Sequence, residues 1–314
     1  MKHPLLQTYG PLDGWMILLL MGGLSIGFFA YQVQKATRLV MIGAPDSRFD
    51  SWGPRVKEFI VGWLGQKKVL RDRVVGTMHV LMFWGFLMLA SDMFDLATAN
   101  AFSGKLLPGI LVGPWNGMVE LGYTMALIGC VAALARRVVF TPEKLKGKSQ
   151  LEGNVILLLI FTITTTSFMI ESKEEPSPFW EPIGHQFSLY GLSDSTVVAA
   201  YWLHMMAISV FLFLIPLSKH MHLVMAVPNV FFHDTGPEAK MRPLATGEDG
   251  LAVPLEELDI DSFGVSTYTQ YTWRQLIDGW SCTSCARCQD VCPAYASGKG
   301  LNPMQVIHDV RNYA

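Results

Sequence analysis

From its start to about residue 217 the chain is built of long apolar runs rather than alternating apolar and polar positions. Five runs, at residues 15–34, 74–96, 115–135, 155–170 and 196–217, are filled with Leu, Ile, Met, Phe and Ala. They approach or pass the roughly 20 residues that a helix needs to cross a bilayer. An open sheet in lipid leaves its backbone groups without partners, so all five are predicted to be membrane-spanning helices. No basic segment precedes the first run and no small-residue cleavage pattern follows it, which predicts a retained span rather than a cleaved signal. Between the first two runs, Val56, Phe59, Ile60 and Trp63 recur at helical spacing among basic residues, the pattern of an amphipathic helix over 53–68 lying on the membrane surface. After the fifth run the pattern changes, and 233–262, rich in Gly, Pro and acidic residues, reads as a linker. The predicted organisation is an all-α chain: a five-helix membrane domain over 1–232, the linker 233–262, and a small cysteine-bearing helical domain over 263–314.

Composition agrees with this reading. Of 314 residues, 51% are hydrophobic and 16% charged, too apolar for an ordinary soluble domain. The net charge of −2 offers no basic footprint for nucleic acid, but it conceals an uneven distribution. The connection after the first run carries Lys35, Arg38, Arg48, Arg55, Lys57, Lys67, Lys68, Arg71 and Arg73, and that after the third carries Arg136, Arg137, Lys144, Lys146 and Lys148. The connections after the second and fourth carry only Lys105 and Lys173, the latter beside Glu174, Glu175 and Glu181. Basic loops stay in the cytoplasm. The predicted topology, in a bacterial or archaeal inner membrane, therefore has the N-terminus outside and everything after Leu217 in the cytoplasm.

The chemistry rests first on Cys282, Cys285, Cys288 and Cys292, spaced C-x2-C-x2-C-x3-C and followed by Pro293. That is the bacterial ferredoxin run for a 4Fe–4S cluster, in which three thiolates converge on one cluster and the fourth commonly serves another. A zinc ribbon uses two separated knuckles, and a disulfide framework belongs to small secreted domains. A second run of this kind does not occur in the 314 residues, so Cys292 is expected to find its cluster partners in a missing C-terminal part or in another subunit. Cys130, alone in the third run, reads as a small buried hydrophobe.

Histidines in or beside the spans test for a further cofactor, because intramembrane ionisable residues are rare and point to function. His79 lies near one end of the second run, His204 within the fifth, and His220 and His222 just beyond it, on a helix expected to continue to Val227. In a continuous helix His204 and His222, 18 residues apart, share one face and lie roughly 27 Å apart along the axis, with His220 turned away. Two haems near opposite membrane surfaces need such an arrangement, each taking a second axial ligand from a neighbouring helix. The plainer alternative is that these histidines satisfy polar neighbours between helices.

The stretch L-H-M-M-A-I-S-V-F-L-F-L-I-P-L-S-K-H-M-H-L-V-M-A-V-P from Leu203 resembles the last helix of the cytochrome b (gamma) subunit of respiratory nitrate reductases. R-R-V-V-F-T-P from Arg136 resembles the exit of that family's third helix, and M-H-V-L-M-F-W-G-F from Met78 its ligand helix. The resemblance implies a haem b held by His79 and His222, with His79 and His204 as the other pairing. The family carries a second histidine ten residues further along the ligand helix, where this chain has Leu89. That leaves His204 without a histidine partner, and Met88 or Met93 as the candidate ligand for a second haem.

Phe263-Gly264, then Y-T-W-R-Q-L-I-D from Tyr271, the cysteine run, P-A-Y from Pro293, S-G-K from Ser297 and L-N-P from Leu301 are similar to the iron–sulfur domain of heterodisulfide-reductase-like membrane oxidoreductases. These proteins fuse a five-helix cytochrome b domain to a two-cluster ferredoxin domain and then to cysteine-rich domains. Some carry electrons from electron-transfer flavoprotein to menaquinone. The resemblance thus implies a quinone-coupled oxidoreductase, or an electron-transfer subunit of one, with a 4Fe–4S cluster, haem b, menaquinone or another quinone as substrate, and a cytoplasmic redox protein as donor. The alternatives are the membrane part of a heterodisulfide or sulfur-metabolism reductase, and a non-redox membrane anchor for a partner enzyme. Arg73, Lys219 and His220 read as interfacial anchors.

Overall fold

The computed structural model describes residues 3–102, 109–140, 148–236, 253–257, 265 and 267–313, with side chains described for all of these except 92–102, 109, 148, 149 and 255. Five helices are long and apolar enough to cross a membrane. They are α1 (Gly14–Met41), α3 (Arg73–Phe102), α4 (Gly109–Val139), α5 (Lys148–Glu171) and α7 (Asp194–Leu217), and each contains one of the predicted apolar runs. Between α1 and α3 lies α2 (Trp52–Glu58); α6 (Pro182–Leu189) precedes α7, and α8 (His222–Phe231) follows it. The cysteine-bearing end forms α9 (Trp273–Ser281), α10 (Arg287–Asp290), α11 (Pro293–Ala296) and α12 (Pro303–Asn312). The two strands among the described residues form a small antiparallel hairpin, β1 (Thr8–Tyr9) with β2 (Leu12–Asp13). Most of the predicted linker lies outside the described residues.

The chain divides into two compact units, Met1–Tyr31 with Gln66–Ser218, and Gln32–Gly65 with Lys219–Ala314. In the first unit α3 and α4 meet backbone to backbone. A Cβ added at Gly85 would lie 2.7 Å from the Gly122 carbonyl oxygen and 2.9 Å from Ala126 Cβ, and one added at Gly129 would lie 2.8 Å from the Met78 carbonyl oxygen. Where the surrounding lipid is as apolar as the side chains, such close van der Waals approach holds helices together. Around this seam Cys130, Ile156, Leu157, Ile160, Phe211 and Ile215 form one buried cluster, and Val119, Tyr123 and Phe168 another. The Cys130 thiol donates to the Leu157 carbonyl at 2.9 Å, a packing role as the sequence predicts.

Glu120 is only 4% exposed within α4. Its carboxylate accepts the Ile183 and Gly184 backbone N–H groups at 3.0 and 2.8 Å, which satisfies two of the donors that the first turn of α6 leaves open. Pro182 opens that helix, where a missing N–H costs nothing. No hydropathy signal predicts α6, because an eight-residue helix carries too short an apolar face.

One expectation fails at the end of α7. The helix does not continue to Val227: it ends at Leu217, Ser218 is extended (φ −123°, ψ 177°), and a short 3-10 turn over Lys219–Met221 precedes α8. Pro216 removes one rung of the helical ladder, and the Ser218 N–H folds back to the Ile215 carbonyl at 3.3 Å. The shared face of His204 and His222, counted along one unbroken helix, therefore does not hold.

In the second unit Ala36, Met221 and Met225 pack with Val33, Val224 and Trp280, and Val40, Leu276 and Ile277 pack with Tyr271 and Trp273. The Ala44 N–H donates to the Tyr271 carbonyl at 2.7 Å, the Trp273 N–H to the Ala44 carbonyl at 3.1 Å, and the Trp273 indole to the Asp46 carbonyl at 2.9 Å. The predicted amphipathic helix is present as α2 continuing into a π-helical turn over Phe59–Leu64. Part of its apolar face is taken up within the protein, since Trp52 and Phe59 both meet the ring of Phe231. Arg55, read as a basic loop residue, is only 2% exposed. Its guanidinium donates to the Asp50 and His233 carbonyls and to the Asp50 carboxylate, each at 2.7 Å, and so ties α2 to the end of α8.

Candidate functional site

The cysteine segment starts from a well-specified helix. Thr272 caps α9 by accepting the Gln275 N–H, and the Gln275 side chain accepts the Thr272 N–H in return, a reciprocal arrangement that fixes the first turn. Cys282 stands at the other end as the C-cap, in extended conformation. Beyond it Ser284 (φ 56°) and Ala286 (φ 61°) both adopt the left-handed conformation, which is uncommon for residues with a Cβ. Cys288 lies on α10, and Cys292 accepts the Tyr295 N–H at the start of α11, where Pro293 is the first helical residue.

Cys285 is exposed, while Cys282, Cys288 and Cys292 are half-buried free thiols. Burial pushes the Cys282 thiol up, and the nearby Cys285 and Cys288 push it further; a hydrogen bond from the Ser284 backbone and the charge of Arg311 act the other way. Cys282, Cys285 and Cys288 are thus close enough to feel one another, but among the described residues no three His, Cys, Asp or Glu side chains are arranged to hold a metal ion. The donor set is chemically suited to iron, because thiolates are soft ligands.

His308 is a neighbour of this loop that the motif does not reveal. Its Nε2 lies 3.5 Å from Cys282 Sγ and 3.1 Å from Ser284 Oγ. Burial, together with Arg311, holds its ring below the ordinary histidine range. Contact spacing within the motif gives no hint of it, since 26 residues separate it from Cys282.

The second unit also holds His222. The His222 Nδ1 lies 2.9 Å from the Lys219 carbonyl. A carbonyl only accepts, so Nδ1 carries the proton and Nε2 keeps its lone pair, the tautomer of a metal-ligating histidine. Burial pushes the ring below its ordinary range, which favours that neutral form. The Ser281 hydroxyl, one residue before Cys282, lies 3.0 Å from the Met225 carbonyl on α8. The same hydroxyl lies 2.9 Å from the Ile277 carbonyl of its own helix, and Asn229 on α8 donates to the Asp278 carboxylate on α9 at 2.7 Å, so several hydrogen bonds link the first cysteine's helix to the helix that begins at His222.

His204, 9% exposed on α7, shows the same logic in the first unit. Its Nδ1 lies 3.1 Å from the Ile163 carbonyl and 3.0 Å from the Thr166 hydroxyl on α5. The Thr166 hydroxyl is directed at the Thr162 carbonyl at 2.6 Å, so toward the ring it accepts. Nδ1 is the donor and Nε2 is left with its lone pair. His79 is half-buried on α3, its ring parallel to that of Phe83 with centroids 6.4 Å apart. Leu89, where the resembled family has a histidine, packs with Val119, Tyr123 and Phe168. The base of Met88 faces Gly122 of α4, whereas the His204 ring is held by α5; the side chain of Met93 lies outside the described residues.

The chain is 28% identical over 310 residues to an EtfAB:quinone oxidoreductase of Syntrophomonas wolfei, an alignment covering 92% of this chain and 42% of that protein. It is 26% identical over 311 residues to the probable iron–sulfur-binding oxidoreductase FadF of Bacillus subtilis, covering 95% of this chain and 42% of that one. Over 68 residues it is 38% identical to a probable membrane-anchored ferredoxin of Chromohalobacter salexigens, 20% of this chain and 10% of that one. The chain thus spans about two fifths of the length of the two relatives it matches throughout. No model of a known protein family matches it, and neither does any solved structure. These likenesses support the resemblance to iron–sulfur membrane oxidoreductases and do not bear on the nitrate reductase gamma subunit.

Proposed function

We propose that this chain is the membrane electron-transfer part of an iron–sulfur oxidoreductase that passes electrons between a cytoplasmic redox protein and the quinone pool. The observation that carries the reading is the set of hydrogen bonds between α9 and α8, Asn229 to Asp278 and Ser281 to Met225 among them, because it couples the helix leading into Cys282 to the helix beginning at His222 within one compact unit. Likeness to relatives named for iron–sulfur binding and for quinone reduction supports it. In this reading Cys282, Cys285 and Cys288 hold a 4Fe–4S cluster, and Cys292 serves a second one completed by protein outside these 314 residues. His79 and His222 hold a haem b, with the Lys219 carbonyl orienting the His222 ring. The iron centres supply one-electron chemistry; the protein supplies position, ligand identity and local polarity. The donor is a protein such as electron-transfer flavoprotein and the acceptor is menaquinone or a related quinone, with the iron–sulfur segment on the cytoplasmic side of an inner membrane and the N-terminus outside.

His204 offers a second haem ligand of the right tautomer, and the number of haems decides its role. The test is a reduced-minus-oxidised spectrum of the anaerobically purified chain with iron and acid-labile sulfide assays. Expected are haem b and cluster iron together, with the haem lost in His79→Ala and His222→Ala and the cluster retained. A single haem that survives His204→Gln makes His204 a strap between α5 and α7, and two haems make it a ligand. Absence of both haem and cluster would leave only a membrane anchor.

A further inference from the structure

We propose that His308 donates a hydrogen bond from Nε2 to the sulfur of Cys282 and thereby sets the reduction potential of the cluster that this cysteine helps to hold. The inference rests on the cluster reading above and goes beyond it, since nothing in the C-x2-C-x2-C-x3-C-P run calls for a histidine. The contact is prepared by the packing of α12 on α9. A Cβ added at Gly279 would lie 3.1 Å from Arg311 Cβ and 3.5 Å from the Ile307 carbonyl oxygen, so the absence of a side chain there lets α12 approach the last turn of α9. That approach brings His308 to the C-cap of α9, with Nε2 3.5 Å from the Cys282 sulfur.

The direction of the bond follows from the ligand's chemistry. A cysteine bound to iron is a thiolate, with lone pairs and no proton, so it only accepts. The imidazole must then present its N–H at Nε2. The Ser284 hydroxyl, 3.1 Å from the same nitrogen, is a second acceptor that shares the donor. Reduction adds negative charge to the cluster, and an N–H aimed at a ligating sulfur stabilises the more negative state. Hydrogen bonds to the sulfurs are among the determinants of cluster potential. His308 is accordingly a positioning and tuning residue rather than a ligand, and its removal leaves the three thiolates in place.

The test is an EPR-monitored redox titration of the full chain, purified anaerobically, at one fixed pH, with iron and sulfide content measured on each variant. His308→Leu is expected to keep its iron and sulfide and to lower the midpoint potential, leaving roughly tenfold less reduced cluster at a fixed poise, the effect of one charge-assisted hydrogen bond. His308→Gln, which keeps an amide N–H, is expected to restore most of the shift. Ser284→Ala removes the competing acceptor, gives the N–H wholly to the sulfur and should raise the potential. An unchanged potential in a fully loaded His308→Leu overturns the proposal, as does a His308→Gln variant that falls as far as His308→Leu. Should His308→Leu fail to fold, a fall or no change in Ser284→Ala overturns it independently. A wild-type chain without iron and sulfide would instead sink the cluster reading itself, an outcome distinguishable from all of these.

Discussion

The two compact units differ in how most of their side-chain hydrogen bonds are spent. In the first, hydroxyls turn back on their own helices: Ser25 to the Met21 carbonyl at 2.8 Å, Thr162 to Leu158 at 2.9 Å, and Thr165 to Phe161 at 2.7 Å. Polar ties between its elements include those of His204, Glu120, Cys130 to Leu157, Asn116 to Glu181 and Lys173 to Asp194, and they are joined by close packing around Gly85, Gly122 and Gly129. In the second unit, side chains reach carbonyls far along the chain: Arg55 to His233, Trp273 to Asp46, Arg274 to Phe232, and Ser281 to Met225. Lipid-facing helices gain nothing from leaving a hydroxyl unsatisfied, and a bond to the preceding turn settles it locally. A unit that must fix the register of a cysteine loop needs bonds that specify one arrangement. The first unit should therefore be sensitive to added volume at its seams, and the second to loss of particular polar groups.

Arg55→Ala is the strongest way to break that comparison. It strips three short charge-assisted contacts from a buried guanidinium and should destabilise the second unit by about 2–4 kcal/mol, read as a lower unfolding temperature in detergent and earlier proteolysis after residue 219. Thr162→Ala, which removes only a bond within its own helix, should move the same readouts by less than about 0.5 kcal/mol. Equal effects for the two would mean that the contrast between the units is false. The next largest effect is expected at the α3–α4 seam. Gly85→Ala forces a methyl against the Gly122 carbonyl at 2.7 Å and should cost about 1–3 kcal/mol by overpacking, although alanine is the better helix former. A stabilised Gly85→Ala protein would show that the seam is looser than the geometry implies.

This contrast also explains what was legible in the sequence. The five long helices follow from hydropathy because an apolar run can be read residue by residue, and each run lies inside one helix. In a charge count Arg55 is one more marker of sidedness, because the carbonyl that completes its burial, that of His233, lies 178 residues away. Pro216 is the visible sign of the break at Ser218, and a rotation count from His204 to His222 along one unbroken helix takes no account of it. Glu120, a carboxylate inside an apolar run, carried a signal for an unusual partner, but the recipient α6 has no sequence signature of its own. Motif spacing announced the cysteines, whereas His308 depends on how α12 packs, a tertiary fact that spacing does not encode.

The smallest effect sharpens the comparison from the second unit's edge, at Asp50. Its carboxylate accepts from Arg55 Nη2 at 2.7 Å, and that hydrogen bond, more than any other influence, holds the Asp50 carboxyl below the ordinary aspartate range. A carboxyl whose folded value is lowered stabilises the fold above its unfolded value, about pH 3.9, and loses that contribution as the pH falls through the folded value. The exposed position means that solvent screens the pair, so the change is modest. Unfolding temperature followed from neutral pH down into this acid range should fall less steeply in Asp50→Asn than in the wild-type chain, because the amide still accepts from Arg55 but no longer titrates. Parallel curves for the two proteins would assign the Arg55 clamp wholly to its backbone acceptors, Asp50 and His233, and would extend to this exposed edge the rule that distant carbonyls, rather than charges, fix the second unit.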